Sequence, residues 1–162
     1  MKSIDIREKT SQDTDWAKTL MLESWGSEVM VLQGRLYHPA ELPGYIAEID
    51  QERVGLITYL LEQRSCEIIT LNSLQPGLGI GTHLLDAVKR SAKQNGCTEM
   101  KLFTTNDNTD ALRFYQKYGF HLDMLLKDSI APDRALKPEI PMKAENGIPI
   151  RDYLLLKIGL ES

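Results

Sequence analysis

Gly77-Leu78-Gly79-Ile80-Gly81-Thr82 stands between two runs of different character, and its reading decides the fold. Before it, Cys66–Leu74 (CEIITLNSL) reads as a buried strand. After it, Ile80, Leu84, Leu85, Val88 and Ala92 recur at helical spacing. Glycines at a strand-to-helix junction let backbone approach an anion, and the helix start offers unpaired N–H groups and the positive end of its dipole. The junction is read as a phosphate cradle lined by Gln75, Gly77, Leu78, Gly79, Gly81 and Thr82. The competing reading is a turn that only relieves crowding where helix meets sheet.

Spacing excludes two familiar cradles. A dinucleotide turn needs G-x-G-x-x-G, but the last position is Thr82 counted from Gly77 and Leu84 counted from Gly79. A triphosphate loop needs a lysine after its final glycine, and Gly81 is followed by Thr82.

Further along, Asn106–Phe120 reads NDNTDALRFYQKYGF. Asn108 or Asp107 can cap a helix whose apolar face is Ala111, Leu112, Phe114, Tyr115 and Tyr118, with Gly119 as a left-handed stop. Tyr115 follows Asn108 by about two turns on the same face. The two segments together resemble the GNAT superfamily of N-acetyltransferases, over roughly residues 1–128. In that family a Q/R-x-x-G-x-G/A loop holds the pyrophosphate of acetyl-coenzyme A. A downstream N-x-x-A-x-x-x-Y-x-x-x-G-F helix supplies an asparagine and a tyrosine near the thioester. Gly79 and Gly81 meet the first pattern; Asn108, Ala111, Tyr115, Gly119 and Phe120 meet the second. Pro76 occupies the Q/R position, with Gln75 one residue earlier.

The resemblance implies an α/β (α+β) fold: a mixed, mainly antiparallel, twisted sheet of about six to seven strands flanked by helices. It implies one acyltransferase domain over residues 1–162, with acetyl-coenzyme A as cosubstrate and no metal. The acetyl group would pass directly, in a ternary complex, to a primary amine on a small molecule or peptide. Leu71 matches the family position whose backbone amide meets the thioester carbonyl, next to a bulge expected near Leu71–Ser73. Tyr115 would protonate the departing thiolate, against the alternative of a core aromatic. Asn108 is either a helix cap or a ligand to the pantetheine amide. Glu67, four residues before Leu71 and so expected on the same strand face, would take the acceptor's proton directly or through water; the alternative is a solvated edge charge. Rival functions are transfer of another acyl group, or a non-catalytic acyl-coenzyme A sensor.

Whole-chain composition agrees with a cytoplasmic enzyme. At 162 residues one domain can bury about 70% of its unfolded surface. Lys+Arg number 19 against 23 Asp+Glu, a net charge of −4 that disfavours nucleic acid as a partner. No apolar run approaches the ~20 residues of a membrane span, and the start MKSIDIREKT is too charged for a signal peptide. Cys66 and Cys97 lack a nearby histidine or CxxC pairing, which favours buried or surface thiols over a metal site and direct transfer over a covalent route. A homodimer stays open. His83 is read as a surface residue.

The expected element order starts with a strand at Ile4–Arg7 and a helix from Asp13 stopped by Gly26. A short piece at Val29–Leu32, a hairpin of Gly44–Ile49 and Val54–Leu61, and the strand–helix–strand unit Cys66–Thr104 follow. After the Asn108 helix come strands at His121–Lys127 and Asp152–Ile158. Between them, Asp128–Arg151 carries four prolines and is expected to be irregular, with Lys137–Arg151 either a lid or acceptor-site wall, or an ordered surface loop or dimer contact.

Overall fold

The computed structural model describes residues 3–161. In chain order its elements are β1 (Asp5–Glu8), α1 (Thr14–Trp25), β2 (Met30–Leu32), β3 (Arg35–Tyr37), β4 (Gly44–Ile49), β5 (Glu52–Glu62) and β6 (Ser65–Ser73). Then follow α2 (Ile80–Gln94), β7 (Glu99–Thr105), α3 (Thr109–Tyr118), β8 (His121–Leu126), α4 (Ile130–Leu136) and β9 (Tyr153–Gly159). β2 and β3 pair with each other, and the other seven strands run in the order β1-β4-β5-β6-β7-β9-β8. The ladders β1–β4, β4–β5, β5–β6 and β8–β9 are antiparallel, so the mainly antiparallel α/β fold expected from the sequence is observed. The chain divides into two compact units. One takes the stretch up to Glu28, His38–Met100 and the stretch from Gly159; the other takes Val29–Tyr37 and Lys101–Ile158.

In the first unit, α1 buries Ala17, Leu20 and Met21 against Ala40, Ile46 and Leu56, with Trp16 partly buried beside them. Asp13 starts this helix, as expected, from the N-cap position. Thr10 caps a preceding 3-10 turn at Ser11–Asp13, and the buried Asp13 carboxylate closes that capping box by accepting the Thr10 amide at 2.8 Å. It also accepts Arg7 N–H donors at 2.8 and 2.9 Å and one from Arg53 at 2.9 Å. Hydrogen bonding to Arg7 holds that carboxyl well below the usual range, and the cluster ties β1 and β5 to the start of α1. On the other side of β5, Gly55 makes room for α2: a Cβ there would stand 2.6 Å from Ile80 Cγ2. α2 then buries Ile80, Leu84, Leu85, Ala87, Val88 and Ala92, the stripe read from its spacing plus Ala87.

The β5–β6 ladder slips by one residue. Thr58 faces Thr70 but Tyr59 faces Ile68, so Ile69 is the extra residue, two positions before Leu71. The slip overturns one expectation. Glu67 faces Leu60 and Leu71 faces Ile57, and partners three apart on β5 point to opposite sides of the sheet. Glu67 therefore does not share a face with Leu71. It shares the face of Leu56, the one packed against α1.

In the second unit, the β2–β3 hairpin turns at Gln33-Gly34, both with positive φ. Asp133, buried in α4, accepts the amides of Gln33 and Gly34 at 2.7 Å each and the Tyr153 hydroxyl at 2.6 Å. The segment expected to be irregular holds α4, because Pro132 is its third residue and needs no amide partner there. Beyond α4, Arg134 donates to the carbonyls of Ile140, Pro141 and Ile150. The proline-rich stretch is thus tied down along its length.

Candidate active site

The glycine segment folds as an open helix start. Gly77 and Gly79 have φ of +84° and +78°, conformations that cost an L side chain about 1–2 kcal/mol. Gly79 is the N-cap of α2, with no side-chain cap and no acidic residue in the first turn. Gln75, Leu78 and Thr82 are exposed and Gly81 is half-buried. Backbone donors at a positive helix end, without a competing carboxylate, suit a diphosphate. His83 is exposed as expected, yet its Nδ1 lies 2.7 Å from the Gly79 carbonyl, which also accepts the His83 amide at 3.1 Å. The signal for this contact was its spacing of four residues from Gly79, since helical side chains lean toward the N-terminus.

On β6, Leu71 and Glu67 are half-buried. Asn72, which the sequence reading passed over, donates from Nδ2 to Ser24 Oγ of α1 at 3.1 Å, while its Oδ1 is buried without a hydrogen-bond partner. It faces Leu56 and so lies on the α1 side of the sheet with Glu67.

Asn108 and Tyr115 belong to the second unit, on α3. Asn108 is the cap: its Oδ1 accepts the Ala111 amide at 3.2 Å. Tyr115 is buried, edge-on to Phe114 and Phe120 with ring centroids 5.1 and 5.5 Å away. Burial raises its phenol above the ordinary range, so the O–H persists through neutral pH. Just before the cap, one Asp107 carboxylate oxygen is buried without a partner. The Asp107 carbonyl accepts from Asn146 Nδ2 at 2.9 Å, and Asn106 donates to the Pro149 carbonyl while accepting the amides of Arg151 and Asp152. The base of α3 and the 140–152 stretch are therefore one hydrogen-bonded assembly.

Both cysteines are buried and free. Burial, aided by Cys97 and Glu67, pushes the Cys66 thiol up to about 12, and burial raises Cys97. Among the described residues no three His, Cys, Asp or Glu side chains gather to hold a metal, and no helix is long and apolar enough to cross a membrane.

An acetyltransferase (GNAT) family model matches residues 9–120, and the chain belongs to that family. The uncharacterized protein YxbD of Bacillus subtilis (strain 168) is 45% identical over 143 residues, covering 88% of this chain and 90% of that protein. Among solved structures, an IAA acetyltransferase from Bacillus cereus ATCC 14579 is 25% identical with a TM-score of 0.76, covering 98% of this chain and 100% of that one. A GNAT family acetyltransferase from Elizabethkingia anophelis with acetyl-CoA bound is also 25% identical, with a TM-score of 0.67 and coverage of 97% and 98%.

Proposed function

We propose that the chain is an N-acetyltransferase that moves the acetyl group of acetyl-coenzyme A directly to a primary amine of a small molecule or peptide. The observation that carries this reading is the uncapped first turn of α2 behind two left-handed glycines. Its amides, with Gln75, Gly77, Leu78, Gly79, Gly81 and Thr82 around them, would hold the diphosphate. Bound acetyl-coenzyme A supplies a thioester carbonyl as electrophile and a sulfur as leaving group. The Leu71 amide would hydrogen-bond the carbonyl oxygen as negative charge develops there, an interaction of the oxyanion-hole kind. Tyr115, kept protonated by burial, would donate its O–H toward the departing sulfur. Glu67, on the sheet face opposite the Leu71 side chain, would take, directly or through water, the proton that an acceptor ammonium must lose before its nitrogen becomes a nucleophile. Asn108 would offer its amide to the pantetheine while it caps α3.

Direct transfer is favoured over a covalent route because both thiols are held in the protonated, weakly nucleophilic form. Calorimetric titration with coenzyme A and acetyl-coenzyme A, followed by thiol release across a panel of primary amines, tests the reading. We expect uptake of both and release with at least one amine class. Absence of uptake overturns the cradle; uptake with no release from any amine overturns the enzyme in favour of a sensor.

A further inference from the structure

Three polar side chains interrupt the face of β6 that looks toward α1. Asn72 faces Leu56, Thr70 faces Thr58 and Glu67 faces Leu60, so all three lie on the side of Leu56 and the α1 core. Thr70 and Thr58 satisfy each other, their buried hydroxyl oxygens 2.6 Å apart. Asn72 is different. Its Nδ2 donates to Ser24 Oγ in the last turn of α1, while Oδ1 is buried without a hydrogen-bond partner. Leaving a buried amide oxygen unpaired is costly, so such a group calls for a reason. The backbone beside it supplies one. The Leu74 amide donates to the Val54 carbonyl on β5 at 2.8 Å, and the β5 pairing runs without a slip from Leu71 to Ser73. Amides alternate along a strand, so that of Asn72 also points to β5 while that of Leu71 points away, free of this ladder.

We propose that Asn72 binds the acceptor: its Oδ1 takes an N–H of the incoming amine and holds that nitrogen on the α1 side of the thioester. The inference rests on the acetyltransferase reading, which gives the free Leu71 amide to the thioester carbonyl, and adds where the amine sits. Consecutive Cα atoms stand about 3.8 Å apart, so the Asn72 side chain rises from the sheet directly beside that carbonyl. Ser24 steadies the amide group from α1. A serine hydroxyl can donate or accept, so this contact tolerates either amide orientation, and an amine, being a donor, selects the one that presents oxygen.

Steady-state kinetics with spermidine, tyramine and alanylalanine as acceptors, beside calorimetry with coenzyme A, tests the proposal. For whichever amine the wild type turns over, Asn72→Ala should raise KM about tenfold or more, as for a lost hydrogen bond to an ammonium or amine. Its coenzyme A affinity should stay that of wild type. Ser24→Ala breaks the same tie to α1 but keeps Oδ1, and should raise that KM less than about threefold. Asn72→Asp keeps an accepting oxygen that can still take the Ser24 hydroxyl, and should hold KM within about threefold of wild type. A wild-type KM in Asn72→Ala, a loss of its coenzyme A affinity, an equal rise in Ser24→Ala or an equal rise in Asn72→Asp would each overturn the assignment and leave the enzyme standing. A wild type that binds coenzyme A and turns over none of the three amines overturns both readings.

Discussion

Two helices of this chain begin in opposite ways. α3 starts closed: Asn108 folds its side chain over the first turn and takes the Ala111 amide. α2 starts open: Gly79 has no side chain to offer, and its left-handed backbone is not that of a capping residue. A closed start serves the helix itself. An open one leaves the first-turn donors for something else, and with glycine in the N-cap position the missing side chain costs only about a few tenths of a kcal/mol. In the proposed function, binding falls to α2 and α3 places Tyr115.

If that division holds, damage to α3's tyrosine should fall on turnover and damage to α2's glycines on affinity. Tyr115→Phe removes the O–H and keeps the ring between Phe114 and Phe120. We expect kcat to fall by on the order of 10²-fold with the coenzyme Kd unchanged, as for loss of a general acid. The pH profile adds a sign. Burial raises the phenol, so the donor form persists, and ionisation of Tyr115 should cause no loss of kcat below pH about 10. Equal kcat for Tyr115→Phe would return Tyr115 to the core-aromatic reading.

Gly79→Val should act on the other side of the comparison. A β-branched residue at φ +78° is strained by about 1–2 kcal/mol, so calorimetry should find coenzyme A bound about tenfold more weakly. Gly147→Val is the control. It bears similar strain at φ +89° in an open turn and should lower the melting temperature without touching affinity. Similar Kd values for both variants and the wild type would remove the cradle.

Much of this was legible because it is periodic or local. The α2 stripe, the β4 limits Gly44–Ile49 and the Asn108 cap follow from spacing and from short-range chemistry. What the sequence hid depends on partners distant along the chain. Asp133 reads as one more acid in a proline-rich stretch until it meets the turn amides at Gln33 and Gly34, some hundred residues away. Pro132 argues against a helix unless the helix begins two residues before it. The Ile69 bulge leaves no mark on the apolar run Ile68–Thr70, although it decides which face Glu67 takes. Asn72 carried no motif, and only its contact with Ser24 and its unpartnered oxygen distinguish it.

Asn108 sits where the two helix starts can be made more alike. Asn108→Ala opens α3 and should cost about 1 kcal/mol of stability, a fall of roughly 2–4 °C in melting temperature. Asn108→Ser keeps a capping oxygen and should recover most of it. The pair separates cap from ligand: a coenzyme Kd that weakens in both variants marks a role in binding, and one that follows neither leaves Asn108 as a cap alone.

The smallest effect belongs to His83, and it sharpens the contrast at its narrowest point. Asn108 satisfies an amide at the start of α3; His83 engages a carbonyl at the start of α2. The ring and its own amide converge on Gly79 O at 2.7 and 3.1 Å, which steadies the left-handed residue while leaving the first-turn donors uncovered. An exposed neutral hydrogen bond contributes about 0.5 kcal/mol at the low end of its range, so His83→Ala should weaken coenzyme A about two- to threefold. His83→Asn, too short to reach around the same turn, should behave as the alanine does. If either substitution leaves the affinity of wild type, Gly79 holds its shape unaided, and the open start of α2 is set by backbone alone.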